Sequence, residues 1–187
     1  MIKLRNQATR NGHCVPWITL CRGCKLKSLE LRPDWEFVAD TVMGGVSTGQ
    51  ITKSKISELS VTRLTGQVSL ENNGGFVQMA FDINNDGSIF DASKYEGIEI
   101  DVSGNEEEYD IRLRTSDLTR PWQSYRALFI ARPEWSTTRV RFSEFVPHKT
   151  GIPLNVRCLR RIGVLGIGRE YYADVSVSGI RFFNSWD

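Results

Sequence analysis

The chain has 187 residues, 40% apolar and 25% charged, which are the proportions of an ordinary folded domain and exclude a disordered or collagen-like chain. No run of about 18 apolar residues occurs, so no transmembrane segment is expected. The formal charge of +2 is uneven: residues 1–33 hold seven lysines and arginines against Glu30 alone, a balance of +6, which leaves −4 for residues 34–187. A mildly acidic body lacks the basic face that nucleic-acid binding needs, so no nucleic-acid partner is expected.

Residues 1–33 show no sustained period of 3.6 or 2 and read as a basic, poorly ordered N-terminal extension. The apolar run Val15–Cys21 is short and broken by Pro16, unlike the core of a secretory signal. Cys21-x-x-Cys24, with His13 and Cys14 nearby, has the spacing of a zinc half-site. No second pair accompanies it, so free thiols are the reading and no metal or other cofactor is expected. Three cysteines crowded into this end, with Cys158 alone in the body, point to a reducing compartment rather than a disulfide-stapled secreted domain.

From residue 34 to 187 the period-2 signal dominates. Ile98, Ile100 and Val102 alternate with Glu99, Asp101 and Ser103, and Tyr109, Ile111 and Leu113 with Asp110, Arg112 and Arg114. Val140 and Phe142 follow the same rule, as do Val175 and Val177. Further strands are predicted at about 49–56, 58–63, 66–72, 75–83, 123–131, 162–168 and 179–184, separated by Asn- and Gly-rich turns. About ten strands with no long helical segment predict an all-β, jelly-roll β-sandwich, with helical turns only near 91–95 and 154–160.

Catalytic chemistry finds little support. His13 and His148 are the only histidines, and His148 lies in a loop-like stretch where an exposed polar residue is the simpler reading. No Gly-x-Ser-x-Gly elbow occurs. The run Gly163-Val164-Leu165-Gly166-Ile167-Gly168 has neither the spacing nor the following helix of a dinucleotide loop and reads as a glycine-containing strand. Glu106-Glu107-Glu108 reads as a solvated turn, so the chain is not expected to be an enzyme.

Two segments exceed what turn chemistry needs. In Asp40-Thr41-Val42-Met43-Gly44-Gly45-Val46-Ser47, paired glycines permit a folded-back loop, Asp40 and Ser47 can bond the amides between them, and Val42 and Met43 are displayed. In Gly66–Val77, Asn72-Asn73-Gly74-Gly75 is a strong hairpin signal whose amide side chains leave room for a ligand.

These two blocks resemble the complex I intermediate-associated protein family of NADH:ubiquinone oxidoreductase assembly factors. Tyr125-Arg126-Ala127-x-Phe129, Trp135 leading to Val140-Arg141-Phe142, and Ile162-Gly163-x-x-x-Ile167 agree with it, so the resemblance spans about residues 34–183. It implies a galactose-binding-domain-like jelly roll and a chaperone-like, non-catalytic role on assembly intermediates of respiratory complex I. Protein partners are then expected, with any membrane association made through them. Cytoplasmic location in a bacterium, or mitochondrial location in a eukaryote, follows.

A partner surface needs exposed apolar anchors, for which Val42, Met43, Trp122 and Tyr125 are the candidates, with Asp40, Gly44, Gly45 and Ser47 holding the loop. The alternative is a carbohydrate-binding module with an aromatic groove, in which Trp122 and Tyr125 stack on sugar rings beside Asn72, Asn73, Gly74 and Gly75.

Overall fold

The structure is a computed structural model and describes residues 28–56 and 59–184. Residues 1–27, with Cys14, Cys21, Cys24 and His13, lie outside the described residues. Alternating sequence becomes strand along most of what is described. The strands are β1 (Leu29–Glu30), β2 (Glu36–Ala39), β3 (Thr48–Ile56), β4 (Leu59–Val68), β5 (Phe76–Asp82) and β6 (Gly97–Gly104). They continue as β7 (Glu108–Thr115), β8 (Ser124–Ile130), β9 (Ser136–Arg141), β10 (Val146–His148), β11 (Leu159–Ile167) and β12 (Tyr171–Phe183).

The strands form two antiparallel sheets. The first runs β3-β4-β12-β6-β9, and the second β10-β8-β7-β11-β5-β2. β12 is the long central strand of the first sheet. β4 covers its Tyr171–Val177 half, and β1 takes up the edge beyond, pairing Leu29 with Phe182 and Glu30 with Arg181. Leu29 and Leu31 pack against the core, and Leu31 N–H donates to Ile180 O at 2.9 Å. The sandwich thus engages residues upstream of the composition break at 34.

The core lies between the sheets. Leu64, Ile98, Ile100 and Val175 of the first sheet and Val77, Met79, Ile111 and Val164 of the second are all 0% exposed. Period-2 alternation explains both layers, since each strand turns its apolar positions to the same side. At one end Phe182 stacks on Phe90 (5.2 Å between centroids) and Tyr95 (5.4 Å). On the outer face of the first sheet, Glu99 is buried beneath ion pairs to Arg139 and Arg181 rather than facing open water.

All-β jelly-roll architecture is as the alternation implies, and several details differ. The segments expected at 58–63 and 66–72 are one strand ending at Val68, and those at 175–178 and 179–184 are one strand with a bulge between Val177 and Gly179. The short strands β1, β2 and β10 escape a periodicity reading because two to four residues carry too little pattern. Helical turns of 3-10 type occur at Asp40–Met43, Glu71–Asn73, Phe142–Glu144 and Val156–Cys158, while 91–95 is a simple turn closed by Tyr95 N–H to Ala92 O. Most consequential, Asn72-Asn73-Gly74-Gly75 is not a hairpin. β4 belongs to the first sheet and β5 to the second, so the segment is a crossover between layers.

Candidate functional site

The crossover and the Asp40–Ser47 loop meet at one buried carboxylate. Asp40 follows the last residue of β2 and is 0% exposed. Its Oδ1 accepts from Ser47 N–H at 3.0 Å, and its Oδ2 from Ser47 Oγ–H (2.5 Å), Gly75 N–H (2.5 Å) and Phe76 N–H (3.2 Å). Ser47 Oγ also accepts from Ser69 N–H at 3.0 Å, which ties in the end of β4. Burial by itself raises the Asp40 pKa, but the donors Gly75, Ser47 and Phe76 outweigh it, and the carboxyl sits below its ordinary value.

The glycines of both motifs serve this approach. A Cβ at Gly45 would fall on the Asp40 carboxyl carbon, and one at Gly74 would meet Oδ2 at 2.5 Å. Gly44 ends the Asp40–Met43 turn at φ +89°, a conformation costly for any residue with a Cβ. Asn72, exposed at φ 55°, is the residue type besides glycine that best tolerates that region. Asp40, Gly45, Ser47 and Gly75 are therefore buried fastenings rather than contact surface. What they present is Val42 (72% exposed) and Met43 (58% exposed).

Val42 and Met43 stand at the rim of a groove of about 460 Å³ across the outer face of the second sheet. Pro121 and Trp122, from the β7–β8 loop, also line it. Its floor follows from the register: Gly163 lies between Arg112 and Ala80, Leu165 between Asp110 and Gln78, and Ile167 beside Phe76. His148 and Lys149 line it from the end of β10. His148 is half-buried on a strand, not in an exposed loop. Tyr125 is fully buried, its hydroxyl donating to Pro153 O at 3.0 Å, so it is a core residue and offers no contact surface. Asn72 lies on the crossover, apart from the groove-lining residues.

The floor carries charge that sequence reasoning passed over as ordinary outward-facing polarity. Asp110, 1% exposed, accepts from Arg112 at 2.9 Å and from Arg126 at 2.9 Å, one carboxylate between two guanidiniums. Arg161 is held by Asp82 (2.9 Å) and Glu36 (2.8 Å). Arg114 has no such partner among the described residues. Its Nη2 donates to Arg120 O at 3.2 Å and its Nε is buried without an acceptor. Burial, then the like charges of Arg160 and Arg161, pull its pKa down. Burial, then Arg112, Arg126 and Lys149, do the same to His148. Among the described residues no group of three or more His, Cys, Asp or Glu could hold a metal ion, and no helix is long and apolar enough to cross a membrane.

Fold and groove together define a galactose-binding-like jelly-roll sandwich with an open groove on the outer face of one sheet. The family model of Complex I intermediate-associated protein 30 (CIA30) matches residues 24–173, and the chain belongs to that family. No curated protein matches the sequence. Among solved structures, a family 11 carbohydrate-binding module from Clostridium thermocellum, in complex with a beta-1,3-1,4-mixed-linked tetrasaccharide, is similar at a TM-score of 0.66 and 11% identity, over 86% of this chain and 98% of that one. The family 11 module of the Clostridium thermocellum cellulase Lic26A-Cel5E reaches 0.67 at 12% identity (86% and 97%). A family 30 module from the same organism reaches 0.61 at 14% identity (87% and 100%). At these identities the likeness is one of fold.

Proposed function

We propose that the protein is a non-catalytic, chaperone-like assembly factor that binds protein intermediates of respiratory complex I, gripping them in the groove between the Met43 loop and Trp122. The observation that carries this reading is the pairing of the CIA30 match over residues 24–173 with a fastened loop that holds two large apolar side chains in water. Exposed apolar groups held rigidly by a buried polar network suit partner capture, because little entropy is lost when they are covered. Such a factor works where the intermediates are built, in the cytoplasm of a bacterium or in mitochondria. Met43→Asp tests it: co-purification of complex I subunits from native cells should be abolished while the melting temperature stays near wild type, since the side chain is exposed. Unchanged co-purification removes the loop from the interface.

A second reading, carbohydrate binding, draws on the fold shared with the family 11 and family 30 modules and on Trp122 in the groove. Calorimetric titration with a mixed-linkage tetrasaccharide discriminates the two. Absence of heat at millimolar sugar rejects the second reading.

A further inference from the structure

We propose that the groove accepts an extended, acidic peptide segment whose carboxylates meet Arg112, Arg114 and Lys149 and whose apolar side chains lie between Met43 and Trp122. The inference rests on the protein-binding reading above and specifies the chemistry of the partner. Among the described residues four cations line the groove (Arg112, Arg114, Lys149 and Arg161), and the Asp110 carboxylate in its floor is buried between Arg112 and Arg126. The remainder of the domain has the opposite sign, since residues 34–187 sum to −4. The positive floor is thus a local feature, which low-dielectric walls focus toward an incoming anion.

Not all of that charge is free. Arg161 is neutralised by Asp82 and Glu36, so it offers little to a ligand. Asp110 offsets only one of Arg112 and Arg126, leaving one charge over. Arg114 and Lys149 have no ion pair to any described carboxylate, and Arg114 keeps a buried Nε without an acceptor. A half-buried guanidinium with no hydrogen-bonded carboxylate among the described residues is an incomplete arrangement, and a carboxylate completes it with charge-assisted hydrogen bonds.

The apolar rim selects among anions. Val42, Met43, Pro121 and Trp122 give an acidic ligand something to bury besides charge, as a peptide with interleaved apolar residues can. A nucleic-acid strand fits less well, because Trp122 is the one large exposed aromatic of the lining among the described residues and residues 34–187 carry a net negative charge. Residues 1–27 of this chain carry six cations and no acid, so their charge opposes this occupancy.

Selection of random peptides of about twelve residues, ~40 Å when extended, on the full chain tests the proposal. Enriched sequences should contain Asp and Glu several-fold above the input library. One such peptide, fluorescently labelled, should bind about tenfold more weakly to Arg114→Gln and to Lys149→Glu. Its affinity should fall between about 0.01 M and 0.15 M salt, as the screening length shrinks from about 30 Å to about 8 Å. Lys149 is exposed, so its variant folds even if Arg114→Gln does not. No enrichment, acid-poor winners, tighter binding of single-stranded RNA, or binding indifferent to Lys149→Glu overturns the proposal. If acidic peptides bind but no complex I subunit co-purifies, the assembly reading fails and the ligand class stands. If Met43→Asp abolishes co-purification and no acidic peptide binds, the converse holds.

Discussion

Asp40 accepts four hydrogen bonds and, among the described residues, pairs with no cation, so its charge is balanced by backbone and hydroxyl dipoles alone. In Asp40→Asn the new NH2 group turns a donor toward the Ser47 and Gly75 donors, or leaves their N–H groups unmet. The cost should be about 3 kcal/mol, read as a fall in melting temperature of roughly 6–12 °C for a domain of this size. The pH dependence has a definite sign. The folded-state pKa lies below the ordinary 3.8, so the unfolded chain takes up the proton first as pH falls. Stability from this carboxylate is whole above about pH 4 and is lost as pH drops through the lower folded value. The gap between wild type and Asp40→Asn, followed by thermal denaturation, should therefore be widest near neutrality and narrow in acid. A constant gap down to pH 2–3 excludes the carboxylate as its origin. Part of this residue's role was legible, since an Asp and a Ser flanking two glycines imply side-chain to amide bonds within the loop. Its bonds to Gly75 and Phe76, 35 and 36 residues away, were not, because nothing local in a sequence marks which distant amides will converge.

The element that ties the first sheet together is β12, which pairs with β4 on one side, β6 on the other, and β1 at its end. Phe182 near its C-terminus is 0% exposed and packs against Phe90, Tyr95 and Phe142. Phe182→Ala opens a cavity among rings from two other segments, the β5–β6 connection and the turn after β9, and should cost about 3–5 kcal/mol, measured by denaturant unfolding. A cost below about 1 kcal/mol would mean that the end of the sandwich collapses to fill the space. Strands of seven or more residues were visible from alternation because each presents several apolar positions at period 2. Pairing partners were not. Asn72-Asn73-Gly74-Gly75 has the composition of a hairpin turn, yet its glycines answer to the Asp40 carboxylate and its flanking strands lie in different layers. Turn residues report local backbone conformation, and the choice of sheet is made by the hydrophobic faces that the strands turn toward the core.

At the scale of the whole molecule, the groove joins parts that share no sequence neighbourhood: the Val42–Met43 loop, the Trp122 loop, the outward positions of β7 and β11, and the end of β10. The sequence offered Val42, Met43 and Trp122, since large apolar residues beside turn signals stand out. Arg112, Arg114, Arg161 and Lys149 did not stand out. An arginine at the outward position of a strand looks the same whether its neighbours across the sheet are acids or other arginines, and only the register separates the two cases. Register also bears on where the folded unit starts. Composition breaks at residue 34, but Leu29 and Leu31 pack on the core and Glu30 lies 3.6 Å from Arg181. Two truncated chains, one beginning at Ser28 and the other at Asp34, isolate this contribution. Both keep β2 and everything after it, and only the first can cover the edge of β12 beyond β4. Partial burial of two leucines is worth about 2–3 kcal/mol, while the exposed ion pair adds little. The chain beginning at Asp34 should therefore melt about 4–12 °C lower, and amide exchange at Ile180 and Phe182 should quicken while that at Val175 is spared. Equal melting temperatures would assign Leu29–Glu30 to an ornamental edge and put the functional start of the sandwich at Trp35.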